Sequence, residues 1–133
     1  FINAYLWRAH AYNDMCEPEL AIDDYSKVIE LNGGLAYAYS DRGDCFDILA
    51  SENLIINGNK DLFFLNLNKA LSDYNKFFSI IKKVLKDDND MDLGLILLPT
   101  YLRRTISGHE RVTELLNMSP IELENNNAKF CSP

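Results

Sequence analysis

The sequence predicts an all-α fold built as an array of antiparallel helix hairpins, and three observations predict it. Segment 4–12, AYLWRAHAY, superposes on segment 38–46, AYSDRGDCF, at an offset of 34 residues, giving A-Y-x-x-R-small-x-x-aromatic twice. A second pair, AIDDYSK at 21–27 and ALSDYNK at 70–76, shares Ala21/Ala70, Asp24/Asp73, Tyr25/Tyr74 and Lys27/Lys76. Between 60 and 86, Phe63, Leu67, Ala70, Tyr74, Phe77, Ile81 and Val84 recur at alternating spacings of four and three, which marks one long amphipathic helix. Two helix types alternating with a fixed period of this length are the sign of a helical repeat array.

The first hairpin spans roughly 2–35. Its first helix carries Tyr5, Ala9 and Tyr12 on one side, and Pro18 opens the second helix, where no amide donor is required. Gly33-Gly34 can stop that helix, because glycine readily takes the left-handed cap conformation.

The second hairpin, 36–87, raises a separate question, because Arg42-Gly43-Asp44 is the tripeptide that adhesion receptors read on exposed loops. The repeat register places Gly43 where the first copy has Ala9, inside a helix. The small residue there lets a neighbouring helix approach closely, so the tripeptide reads as helix interior.

The second hairpin is also longer. Tyr12 and Ala21 are 9 apart, but Phe46 and Ala70 are 24 apart, which leaves 15 extra residues. Phe46, Leu49 and Ile56 continue the first of these helices to about Asn57, Gly58 suits a turn and Asn59 an N-cap. Both helices gain about two turns, the second reaching roughly 40 Å at 1.5 Å per residue. The projecting tip carries Leu54, Ile55, Ile56, Leu62, Phe63, Phe64 and Leu65. Covering one such side chain is worth about 1.5–3 kcal/mol, so either the C-terminal segment or another chain is expected to cover them. On the second alternative Ile56, Phe63 and Phe64 form an oligomer contact, and the chain is a homodimer or a fixed subunit.

Beyond the acidic break at 87–90 the repeat signal fades. Residues 91–125 read as a divergent helical cap, with Pro99 kinking or restarting a helix, Gly108 permitting a stop and His109 beginning a new helix. Ser119-Pro120-Ile121-Glu122 has the form of a capping box, and 126–133 reads as a frayed tail. YLRR at 101–104 echoes YLWR at 5–8 without the rest of the repeat.

The residues Tyr5, Ala9, Tyr12, Ala21, Tyr25 and Val28 resemble the signature positions of the tetratricopeptide repeat, a helix–turn–helix unit that stacks into a right-handed superhelix. The resemblance covers about two-thirds of the chain, and Gly33 stands where that family usually has proline. It implies a concave face lined by the first helix of each repeat. Asn3, Leu6, Trp7, His10, Asn13 and Asp14 come from the first repeat, and Tyr37, Ser40, Asp41, Asp44, Asp47 and Ile48 from the second. Helical spacing gives the same rows independently, since Trp7, His10 and Asp14, and likewise Tyr37, Asp41, Asp44 and Ile48, fall on single helix faces. The family's grip on acidic chaperone tails is not expected here, because Asp41 occupies one of its clamp positions.

Composition bounds the partner. With 133 residues and 47% apolar content the chain is one domain, and a net charge of −7 repels phosphate backbones and anionic lipid. Neither nucleic acid nor membrane is therefore expected as a partner. Cys16, Cys45 and Cys131 are too few and scattered for a disulfide framework or a zinc site, so reduced thiols and a cytoplasmic setting are expected. The chain opens on Phe1 almost inside the first motif, as an excised piece would.

No phosphate-cradling loop, HExxH, CxxC or EF-hand spacing appears, and Cys16 has no activating base nearby. No enzyme, cofactor or metal is expected. The expected function is protein binding, with the partner-contacting residues Trp7, His10, Asp14, Tyr37, Asp41, Asp44 and Asp47. Arginine or lysine of a basic or mixed peptide would pair with these carboxylates and stack on the rings.

Overall fold

The structure, a computed structural model, describes residues 1–86, 98–118 and 122. The described residues contain no strand, and their five helices are α1 (Ile2–Asp14), α2 (Pro18–Leu31), α3 (Ala36–Ile55), α4 (Lys60–Lys86) and α5 (Leu98–Leu116). The capping box at 119–121 and the tail at 126–133 lie outside the described residues, as do 91–97 of the expected cap.

The recurring letters turn out to be recurring contacts. Arg8 donates two hydrogen bonds of 2.7 Å to the carboxylate of Asp24, and Arg42 does the same to Asp73 at 2.8 and 2.7 Å. Each guanidinium also lies between two rings of its own helix. Arg8 sits 5.7 and 6.0 Å from Tyr5 and Tyr12, and Arg42 sits 5.7 and 5.8 Å from Tyr39 and Phe46. The planar fork of arginine matches a carboxylate edge while its faces stack on aromatics, which lysine cannot reproduce. The carboxylates need this partner because Asp24 and Asp73 are buried. The paired tyrosines repeat as well: Tyr25 shares a 2.9 Å hydrogen bond with His10, and the Tyr74 hydroxyl donates to Asp44 at 2.7 Å.

These contacts order the helices. Each of the five packs on its chain neighbours, and α5 also touches α3. Short turns make α1 and α2, and α3 and α4, antiparallel. Helices α1 and α3 run parallel, joined by Cys45 and Asn13, and α3 and α5 run parallel through Asp41–Arg104 and Asp47–Arg111. Arg42 ties three helices together, since it bonds Ser26 of α2 at 3.1 Å as well as Asp73 of α4. Helices α2 and α4 therefore flank α3 on its Arg42 side, with Tyr74 of α4 reaching across to Asp44.

The extra residues extend α3 and α4 as the spacing predicts. Gly58 takes φ 60°, the left-handed value a tight turn needs, and Asn59 Oδ1 accepts the Leu62 amide at 3.0 Å as an N-cap. The main core lies along this long hairpin and joins Ala50, Leu54, Phe63, Leu67, Ala70 and Tyr74 to Val112 and Leu115 of α5. Part of the tip is thereby covered from within: Leu54 is buried and Ile55 half-buried, while Leu62 and Leu65 stay exposed. Phe63 is fully buried and Phe64 half-buried against the same cluster, which removes Phe63 as an oligomer contact. Ile56, at 75% exposure, stays open.

Two local expectations are corrected, the Gly33-Gly34 cap and the Gly108 stop. Helix α2 ends at Asn32, whose backbone is extended and whose Oδ1 accepts the Gly34 amide, so neither Gly33 nor Gly34 supplies a left-handed cap. Pro99 lies in the first turn of α5, in agreement with the restart that the sequence allowed. Gly108 is no stop and His109 no helix start, because α5 runs through both.

The glycine has a packing reason instead. A Cβ at Gly108 would lie 2.8 Å from the Tyr74 hydroxyl, and a Cβ at Gly43 would lie 2.7 Å from Cε1 of the same ring. Tyr74 is thus clamped between the backbones of α3 and α5. Gly43→Ala is expected to destabilise the protein by up to about 2 kcal/mol, because overpacking costs about 1–3 kcal/mol against a helix-propensity gain of about 1 kcal/mol. A lowered urea midpoint followed by circular dichroism checks it.

Candidate functional site

The row Tyr37, Asp41, Asp44 and Asp47 does share one face of α3, as helical spacing requires, but α5 already lies along it. The carboxylate of Asp41 accepts hydrogen bonds from Arg104 and from the Tyr101 hydroxyl, the latter at 3.3 Å. Asp44 accepts from Tyr74 and lies 3.3 Å from Arg104. Asp47 accepts from Arg111 at 3.0 Å, and Arg111 also reaches Ser51. Tyr37 packs on Tyr101 with ring centroids 6.0 Å apart, and Ser40 bonds Thr105 in the interior at 2.6 Å. The basic groups expected from a partner are supplied by the chain's own fifth helix.

Burial governs the charges of this row. It pushes the carboxyls of Asp41, Asp44 and Asp47 up, against the opposing pull of Arg104 on Asp41, of Tyr74 and Arg104 on Asp44, and of Arg111 on Asp47. Asp44 reaches about 6. The same burial, with the neighbouring carboxylates, drives the Tyr74 phenol above its ordinary range, so it remains a hydrogen-bond donor to Asp44.

The expected contacts on α1 fare differently. His10 is committed to Tyr25. Trp7 is 72% exposed, Asp14 is exposed, and neither lines the groove beside the α3 row.

What the helices do enclose is an open groove of about 660 Å³. Asn13 comes from α1, and Asp44, Asp47 and Ile48 from α3. Thr100, Arg103, Arg104, Ser107 and Gly108 come from α5. Arg103 has no ion-pair partner among the described residues, while both aspartates of the opposite wall are paired. The groove is therefore mixed rather than acidic: a guanidinium with no ion-pair partner among the described residues, two hydroxyls, an amide and the exposed Ile48. Sequence reasoning found the α3 wall and missed the α5 wall. Its signal was present in YLRR, because Tyr101 and Arg104 repeat the Tyr-x-x-Arg spacing of 5–8 and 39–42, and Arg104 again stacks on its tyrosine, at 4.7 Å.

Among the described residues no group of three histidines, cysteines, aspartates or glutamates could hold a metal, and no helix is long and apolar enough to cross a membrane. Compared with known proteins, the chain matches no family model, no curated protein and no solved structure.

Proposed function

We propose that this chain is a protein-interaction module of the tetratricopeptide kind, which holds a segment of a partner protein in the groove between α1, α3 and α5. Its role is binding rather than catalysis, in a cytoplasmic setting. The observation that carries the reading is the groove itself, walled by three parallel helices, with Arg103, which has no ion-pair partner among the described residues, on its α5 wall and the apolar Ile48 on its α3 wall. The internal repeat supports it, since the Arg8–Asp24 and Arg42–Asp73 pairs hold the two helices of each hairpin together in the same way. A purely basic peptide fits less well than a mixed one, because it would have to displace Arg104 and Arg111 from their carboxylates. A mixed segment places an acidic side chain against Arg103 and an apolar one against Ile48.

Selection from a displayed random-peptide library tests this. Enriched peptides are expected to carry that acidic–apolar pairing and to lose about tenfold or more in affinity to Ser107→Trp, which fills the groove. Lys82→Glu, on α4, leaves binding unchanged. A library that yields no enriched peptide, or peptides indifferent to Ser107→Trp, would end the groove reading.

A further inference from the structure

The side of the molecule away from the groove carries a segregated charge that the groove does not use. Six of the eight lysines of this acidic chain, at 60, 69, 76, 82, 83 and 86, lie on α4. Leu62, Leu65, Lys69, Ser72, Lys76, Ser79 and Lys83 are all exposed, at alternating spacings of three and four, so they form one straight outward stripe. Lys76 has no ion-pair partner among the described residues. Helix α2 flanks the same side of α3 and is opposite in character, with exposed Glu17, Glu19, Asp23 and Glu30 together with exposed Leu20 and Leu31.

We propose that two copies of this chain associate back to back, with α4 of each copy against α2 of the other. The register follows from Arg42, which bonds Ser26 and Asp73 together and so sets positions 47 apart in α2 and α4 at one level. These two helices are parallel. A two-fold axis along them puts α2 of one copy opposite α4 of the other with levels kept. Asp23 then stands opposite Lys69, and Glu30 opposite Lys76. At the same end of both helices Leu62 and Leu65, 40% and 49% exposed, face Met15 and Leu20, 62% and 44% exposed. Charge meets charge and apolar surface meets apolar surface, and each contact forms twice, as an isologous interface requires. Among the described residues of one chain Glu30 is held only by Lys27, at 3.5 Å on the surface, a contact that Lys76 of a second copy can share.

Light scattering tests the proposal on the full chain at low and high salt. Low salt is expected to give twice the 15.2 kDa monomer mass, and high salt to shift the population toward monomer as the exposed pairs are screened. Lys69→Glu with Lys76→Glu, or Asp23→Lys with Glu30→Lys, is expected to weaken dimerisation by about tenfold or more. All four substitutions together restore the dimer by exchanging the charges. These positions are exposed, so circular dichroism should stay unchanged throughout. A wild type that remains monomeric at low salt, or a dimer untouched by either charge reversal, overturns the proposal. No groove residue is altered, so the outcome is independent of peptide binding.

Discussion

Replacing Arg42 by methionine is expected to cost about 3–5 kcal/mol, the range for breaking a buried ion pair from one side. Asp73 is 4% exposed, and without Arg42 its carboxylate has lost both charge-assisted bonds and cannot reach water. The same substitution frees Ser26 and empties the space between Tyr39 and Phe46, so α2, α3 and α4 all lose a common point of attachment. The first repeat supplies an internal control. Arg8 makes the same two bonds and the same two ring contacts, but its side chain is 57% exposed against 20% for Arg42. Removing it opens Asp24 to solvent, so Arg8→Met should cost less than half as much. Arg42→Met combined with Asp73→Leu should recover most of the loss, since a well-packed apolar pair can replace a buried ion pair at little cost. Urea unfolding of the four proteins measures this order. Equal losses for Arg8→Met and Arg42→Met would show that the repeat position, not burial, sets the effect.

That contrast explains which parts of the molecule were legible beforehand. Period and letter identity located both hairpins, because Arg8 and Arg42 each answer to the aspartate, Asp24 or Asp73, of the next helix in the chain. The extended hairpin was legible for a similar reason, since the four-and-three spacing of α4 and the Gly58–Asn59 turn are local signals. Side-chain partners across α3 and α5 were not. Asp41, Asp44 and Asp47 look like an open acidic face when α3 is read alone, and only tertiary packing brings Arg104 and Arg111 against them. Gly108 misleads in the same way: glycine in a sequence suggests a helix end, but here its missing Cβ makes room for a tyrosine that is distant in sequence. Local rules for caps and stops hold where backbone geometry alone decides. They fail where a neighbouring helix decides first.

The acidic row on α3 is expected to give this protein an unusual dependence on pH. Asp44 faces Tyr74, Arg104, Asp41 and Asp47, and burial raises it to about 6, with Asp41 and Asp47 also raised. An unfolded aspartate titrates near 3.9. The folded chain therefore binds these protons more tightly than the unfolded chain. The stability that Asp44 contributes is complete below the unfolded value and is lost as pH rises through about 6, and Asp41 and Asp47 act in the same direction. The urea midpoint should accordingly be higher at pH 5 than at pH 7.5, opposite to a protein whose carboxylates are held below their usual range. Arg104→Gln sharpens the test. It leaves Asp41 buried without its counter-charge, and because the Arg104 side chain is 48% exposed the loss is discounted to about 2–3 kcal/mol at pH 7.5. Protonation relieves that penalty, so the variant should recover part of its deficit at pH 5. Asp41→Lys with Asp44→Lys places ammonium groups against Arg104 and should detach α5 rather than merely alter binding. A wild-type midpoint that falls steadily from pH 7.5 to 5 would mean that the arginines, not burial, control the row.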